Sequence, residues 1–321
     1  MRYALMSEPQ QGLSYDEILA LALTAEDSGF ESFFRSDHYT SFPGESALPT
    51  TDAWATLAGL ARETKRITLG ALVSPVTFRP PGNLAKVVTT VAEMSGGRVE
   101  VGLGAGWNEQ EHVQHGLHYP PTGERFDMLE EQLAIIHGLW TEPDGWSYEG
   151  RHWTVRNSLF RPKPAAPVGR RHPNIIVGGA GRTRMAALVA RYADEINISS
   201  ASPSKVAEAY ARVDDACRAV GRDSAEVARS AMTGVLVGET EAEVRDRARE
   251  LLETIDGGGD PDAWLAERRN RWILGTPDQA RSRAAEFEAA GAQRLMLQTF
   301  LPRDLEMVRV LGRIFLDQGP G

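Results

Sequence analysis

The 321-residue sequence predicts a single (β/α)8 barrel of the TIM type with insertions, running over residues 1–321 as one domain. Three observations predict it. Short apolar runs bounded by turn residues alternate with longer segments of helical period along most of the chain, which is the rhythm of parallel βα units. Eight such units can be counted, four before the proline-rich stretch Arg161–His172 and four after it, and together they complete one barrel rather than two domains. The composition, 42% hydrophobic and 25% charged, is that of a globular chain with enough apolar material for a large core.

The first strand is Tyr3–Met6. Its helix starts at Ser14, whose side chain can cap it reciprocally with Glu17, and stops at Ser28-Gly29. Ser32–Arg35 is the second strand; a loop rich in proline and serine, Thr40–Pro49, leads to the helix Asp52–Arg62. The third strand is Ile67–Val73, with a helix from Pro80-Pro81-Gly82 to Met94. Val99–Leu103 is the fourth, followed by helix over Gly104–Tyr119 and Thr122–Leu139. A hairpin of Trp146–Tyr148 and His152–Val155 precedes the linker. Units five to eight pair Ile175–Val177 with Arg182–Tyr192, Glu195–Ile198 with Ser204–Ala219, Val227–Val237 with Glu241–Leu252, and Leu295–Gln298 with Leu305–Phe315. Between the last two units lies an insertion, Gly257–Arg271 plus a helix Pro277–Ala290, of the kind that serves barrels as a lid or interface element.

A net charge of −9 and no basic tract argue against nucleic-acid binding. Cys217 is the only cysteine, which excludes an intrachain disulfide and a thiolate metal cluster and fits a reducing cytoplasm. The apolar run at the N-terminus is too short for a signal peptide, and no run approaches the roughly 18 residues of a membrane span. The expectation is a cytoplasmic protein acting on a small molecule.

Active sites of these barrels lie at the carboxyl ends of the strands. Asp37-His38, after strand two, sets an imidazole that titrates near neutrality beside a carboxylate, the equipment of general acid–base catalysis. Gly178-Gly179-Ala180-Gly181, between strand five and a helix opening at Arg182, offers free backbone N–H groups and a helix dipole to a phosphate. Gly102-Leu103-Gly104-Ala105-Gly106 looks like a dinucleotide fingerprint, but the third glycine would fall at Trp107 and four βα units already precede it. Its glycines instead let a ligand approach the backbone, with Asn108 as a hydrogen-bond donor. His112, His115 and His118 are spaced by three, yet Gly116 interrupts the helix and no HxH pair ends strand one, so a metal site is not expected. Trp107, after strand four, is placed to line a cofactor pocket.

These stretches together resemble the luciferase-like monooxygenase superfamily, within it the branch that uses the deazaflavin coenzyme F420. The resemblance rests on Ser36-Asp37-His38, on Val73-Ser74-Pro75-Val76-Thr77-Phe78-Arg79-Pro80-Pro81, on Ser95-Gly96-Gly97-Arg98-Val99 with Gly102–His112, and on Ala193-Asp194-Glu195-Ile196-Asn197. It implies that Asp37 contacts the cofactor and His38 serves in catalysis. It implies further that Ala71-Leu72 is a non-prolyl cis peptide against the ring, that Val73, Ala105, Gly106 and Asn108 line the cofactor site, and that the phosphate lies near Gly178–Gly181. A homodimer is implied as well. One departure stands out: sugar-6-phosphate dehydrogenases of this branch carry an acid after the glycine matching Gly106, where this chain has Trp107. The expected function is F420-dependent hydride transfer with a small organic substrate. The alternatives are an FMN-dependent monooxygenase on the same fold and a flavin-binding protein without turnover, which would have no need of Asp37-His38.

Overall fold

The computed structural model describes residues 1–44, 47–167 and 169–317. Glu45 and Ser46 of the Thr40–Pro49 loop, Val168 of the linker and Gln318–Gly321 of the expected domain lie outside them. In chain order the elements are β1 (Arg2–Ser7), α1 (Tyr15–Asp27), β2 (Ser32–Arg35), α2 (Ala53–Glu63), β3 (Thr68–Pro75), α3 (Pro81–Ser95), β4 (Val99–Gly104), α4 (Glu109–Gln114) and α5 (Thr122–Thr141). There follow the hairpin β5 (Trp146–Glu149) and β6 (Thr154–Ser158), then β7 (Asn174–Gly179), α6 (Thr183–Tyr192), β8 (Glu195–Ser199), α7 (Pro203–Val220) and β9 (Ala228–Val237). The chain continues through α8 (Glu241–Asp256), α9 (Pro261–Arg268), β10 (Ile273–Gly275), α10 (Pro277–Ala289), β11 (Arg294–Thr299) and α11 (Leu305–Phe315).

The strands β9-β11-β1-β2-β3-β4-β7-β8 are hydrogen-bonded in that order and β8 pairs back onto β9, so eight parallel strands close a TIM barrel. Each expected strand has its counterpart. The boundaries move for physical reasons. Gly178 and Gly179 belong to β7, where they pair with Asn197 and Ile198, and not to the loop after it. Helix over Gly104–Tyr119 shrinks to Glu109–Gln114, because β4 keeps Gly104, Gly106 takes a φ of 76°, and Asn108 caps the helix only from Glu109 on. The hairpin's second strand lies at Thr154–Ser158, since Glu131 gathers the backbone N–H groups of Arg151, His152 and Trp153 into the turn. The insertion contains a strand that the sequence reading lacks: β10 continues the sheet beside the far end of β9, at Val235–Val237.

Capping explains several starts. Ser14 and Glu17 form the expected capping box, and Asp52, Thr240 and Asp304 accept N–H groups of the first turns of α2, α8 and α11. Apolar faces of the helices meet the outer faces of the strands in one continuous core. Inside the barrel a smaller cluster, Ala4, Met6, Phe34, Leu72, Ile176 and Met296, fills the middle. Below it, at the amino ends of the strands, Arg294 is fully buried, 2.8 Å from Glu100 and 3.2 Å from Glu195, with its guanidinium over the Phe34 ring. The barrel is thereby plugged from below and open above.

Candidate active site

A cavity of about 590 Å³ opens at the carboxyl ends of the strands, above Met6, Leu72 and Met232. Its glycine-lined wall is built by one side chain. Val73 reaches across the end of β4 to β7: a Cβ on Gly104 would stand 2.6 Å from Val73 Cγ2, and a Cβ on Gly178 would stand 2.6 Å from Val73 Cγ1. Only glycine fits at either position. The register of β3 against β4 shifts between Ala71 and Ser74, and this bulge presents Val73 to the cavity. The non-prolyl cis peptide lies within it at Leu72–Val73, one residue beyond the Ala71-Leu72 expected; Ala71 is still in register with Val101 and fully buried.

His38 lines the cavity from the loop after β2. Its Nδ1 is 3.0 Å from Glu111 Oε2, and its ring is met edgewise by Phe42 at 4.5 Å and Trp107 at 5.9 Å. Trp107 is 63% exposed at the rim. Across the cavity, Gly179, Ala180 and Arg182 lead into the N-terminus of α6. Among the described residues, Arg182 is the one lining side chain with a fixed positive charge. The remaining charge on the wall is negative. Glu8, buried after β1, accepts Gln298 Nε2 and Gln10 Nε2, each at 2.5 Å, and Gln10 in turn accepts the Ser36 hydroxyl at 2.5 Å.

The structure thus brings His38, Leu72, Val73, Ala105, Gly106, Gly178, Gly179, Ala180 and Arg182 to one cavity. Four further residues expected at the cofactor lie elsewhere. The Asp37 carboxylate is buried away from the cavity, where Arg79 Nη1 donates at 2.6 Å and Ser74 Oγ at 2.7 Å. Ala71 packs into the core. Asn108 is outside the cavity lining and caps α4 through Oδ1, which accepts the Glu111 N–H. Gly181 is held by packing, since a Cβ there would stand 2.6 Å from Ala209 Cβ and 2.7 Å from Ile198 Cδ1, and its N–H meets Met185 Sδ. Both ring nitrogens of His112 are engaged, with the Asn108 carbonyl and the Thr77 hydroxyl, each at 2.6 Å.

Glu8, Gln298 and Glu111 have no site role in the sequence reading. Glu8 and Gln298 could have been found by extending the strand-end rule to β1 and β11. Glu111 carries no local signal, because the groups it holds are more than 70 residues away in sequence. The electrostatics around Asp37 are those of a buried network. Burial pushes the Tyr39 phenol well above its ordinary range against the pull of Arg79, and Asp37 and Asp52 add to the rise. Asp52 is held below the usual carboxylate range: burial would raise it, but the Ala55 N–H and the Arg79 charge outweigh that effect.

A closed parallel barrel with a ligand-sized cavity at its carboxyl end, walled by backbone glycines and a histidine, defines the class as an α/β-barrel of enzyme type. Within that class the chain belongs to the luciferase-like monooxygenase family, whose profile matches residues 2–298. An F420-dependent glucose-6-phosphate dehydrogenase of Microbacterium testaceum is 34% identical over 179 residues, which cover 54% of this chain and 51% of that protein. A monooxygenase from Streptomyces bottropensis superposes with a TM-score of 0.81 at 22% identity, over 98% of this chain and 99% of that one. An F420-dependent secondary alcohol dehydrogenase in complex with an F420-acetone adduct superposes with a TM-score of 0.80 at 19% identity, over 98% and 97%. Among the described residues no helix is long and apolar enough to cross a membrane.

Proposed function

We propose that this protein is a coenzyme F420-dependent oxidoreductase that transfers hydride between the deazaflavin and an uncharged small organic substrate. The observation that carries the reading is the placement of His38 in one cavity with the glycine-lined wall at Val73, Gly104 and Gly178. The residues present suit such a group. Val73, whose methyls fill the space left by the missing Cβ atoms of Gly104 and Gly178, presents an apolar bulge to the cavity against which a flat ring can lie, and Arg182 with the amino end of α6 suits a phosphate. When bound, the deazaflavin supplies a carbon that gives or takes hydride. His38 exchanges a proton with the substrate oxygen, with the rim aromatics Phe42 and Trp107 set against its ring.

The charge of the wall favours a neutral substrate. With Arg182 engaged by the cofactor's phosphate, no lining cation among the described residues remains for a second phosphate, and Glu8 would repel one. Glucose 6-phosphate is therefore a poor substrate on this reading, in keeping with Trp107 at the position where its dehydrogenases carry an acid. The same reading includes a cytoplasmic homodimer, which sedimentation of the purified chain would test.

Titration of the apoprotein with F420 and with FMN separates the reaction classes. F420 is expected to bind at least about tenfold more tightly, equivalent to about 1.4 kcal/mol. Equal or reversed affinity would move the protein to FMN-dependent oxygenation. Replacing His38→Ala should leave F420 affinity nearly unchanged and lower single-turnover hydride transfer, with a neutral alcohol found by screening, by on the order of 10²–10⁴-fold. An unchanged rate in this variant would leave His38 as scaffold.

A further inference from the structure

The His38 ring meets a residue of another element through Nδ1. Glu111, in the first turn of α4, is 1% exposed, and its carboxylate faces three donors on the loop after β2. Oε1 accepts the backbone N–H groups of Tyr39, at close range, and of Thr40, at 3.2 Å. Oε2 lies 3.0 Å from His38 Nδ1. A carboxylate can only accept, so Nδ1 must carry the hydrogen. A neutral imidazole has one N–H, and Nε2 is then left with a lone pair. Among the described residues Nε2 has no hydrogen-bonding partner, while Phe42 and Trp107 hem the ring on its edges.

We infer that Glu111 is a positioning residue that holds neutral His38 in the Nδ1–H form, so that Nε2 enters the reaction as a proton acceptor. The step it prepares breaks the O–H bond of a substrate hydroxyl: the proton passes to Nε2 and the electron pair stays on oxygen. The imidazolium so formed faces the Glu111 carboxylate, which offsets its charge. The site is thereby set for oxidation of an alcohol. Naming the proton donor as a substrate hydroxyl rests on the proposed function; the tautomer does not.

The test is long-range ¹H–¹⁵N spectroscopy of the full chain labelled at histidine nitrogen, at a pH where the rings are neutral, with His38 assigned by its loss in His38→Ala. The wild type should show a protonated-type shift at Nδ1 and an unprotonated-type shift at Nε2. In Glu111→Gln the single amide oxygen must serve the Tyr39 and Thr40 N–H groups. The NH2 then faces Nδ1, which has to accept, and the two shifts should exchange. Glu111→Asp retains an acceptor on both sides and should keep the wild-type form. His112, fixed by the Asn108 carbonyl, reports in each variant that the region is folded. A wild-type His38 protonated at Nε2, or no exchange in a folded Glu111→Gln, would overturn the inference. No cofactor or substrate enters this measurement, so failure of the F420 titration would remove the proposed function and leave the tautomer standing.

Discussion

Arg79 lies between two carboxylates, with Asp37 Oδ2 at 2.6 Å and Asp52 in close contact, and the Tyr39 hydroxyl stands 2.9 Å away. Its side chain is 9% exposed and that of Asp37 is fully buried, so removing the cation alone strands a charge in the interior. Arg79→Met should therefore cost about 3–5 kcal/mol of unfolding free energy. The double variant Arg79→Met/Asp37→Asn, which removes the stranded charge as well, should recover a good part of that loss. Denaturant titration of the two variants measures it, and equal losses in both would mean that the pair is held by packing and not by charge. The pair also marks the limit of reading residues from sequence. Asp37 and His38 are adjacent and follow a strand, so both stood out as site residues, but only His38 turns to the cavity. The partner that draws Asp37 away is 42 residues distant, as the carboxylate that orients His38 is 73 residues distant. Side chains whose role is set by a distant element leave no local pattern.

At the scale of elements, the wall of the cavity depends on three strands meeting at one side chain. An alanine at Gly104 would place its Cβ 2.6 Å from Val73 Cγ2, and real carbons do not approach so closely. Gly104→Ala should destabilise the protein by about 1–3 kcal/mol, the usual range for overpacking, and weaken cofactor binding by pushing β3 and β4 apart. Adding Val73→Ala removes the colliding methyls. The pair should then show a coupling energy of about 0.5–3 kcal/mol in a double-mutant cycle, whereas strict additivity would place the strain elsewhere. All eight barrel strands were legible because each is a short apolar run between turn signals. What was not legible followed from their packing: β10 is three residues long and exists because β9 outruns β11, and the glycines at the end of β7 are strand because β8 continues beside them. Apolar period locates an element, while its neighbours decide where it ends.

At the scale of the whole molecule, closure joins the first strand to the last, since β1 pairs with both β2 and β11 and the circle is completed between β8 and β9. The described residues should accordingly unfold as one unit. The charge at the bottom of that barrel gives the unit a dependence on pH. Burial is the largest influence on Glu100 and would raise its pKa, but the Arg294 charge and hydrogen bonds, with the Asn174 amide, bring it below the ordinary 4.5. Glu26 is lowered likewise, because the N–H groups of Ile67, Arg66 and Lys65 outweigh its burial, and Asp52 is lowered as described above. A carboxyl lowered on folding contributes stability that is fully present above its unfolded value and is lost as pH falls through the folded one. Wild-type stability should therefore decline below about pH 4.5, the unfolded range of these groups. Arg294→Met removes the largest opposition to burial at Glu100 and leaves the Asn174 amide and the Arg2 charge. The folded carboxyl then binds its proton more readily than in the wild type, so acidification costs the variant less. The variant should be about 3–5 kcal/mol less stable than wild type at pH 7, and the gap should narrow steadily as pH falls towards 5. Urea unfolding across that range, followed by far-UV circular dichroism and tryptophan fluorescence, should give one coincident transition for each protein. A gap that stays constant with pH would instead assign the loss to the packing of the guanidinium on Phe34, and two separated transitions would divide the chain that barrel closure is argued to unite.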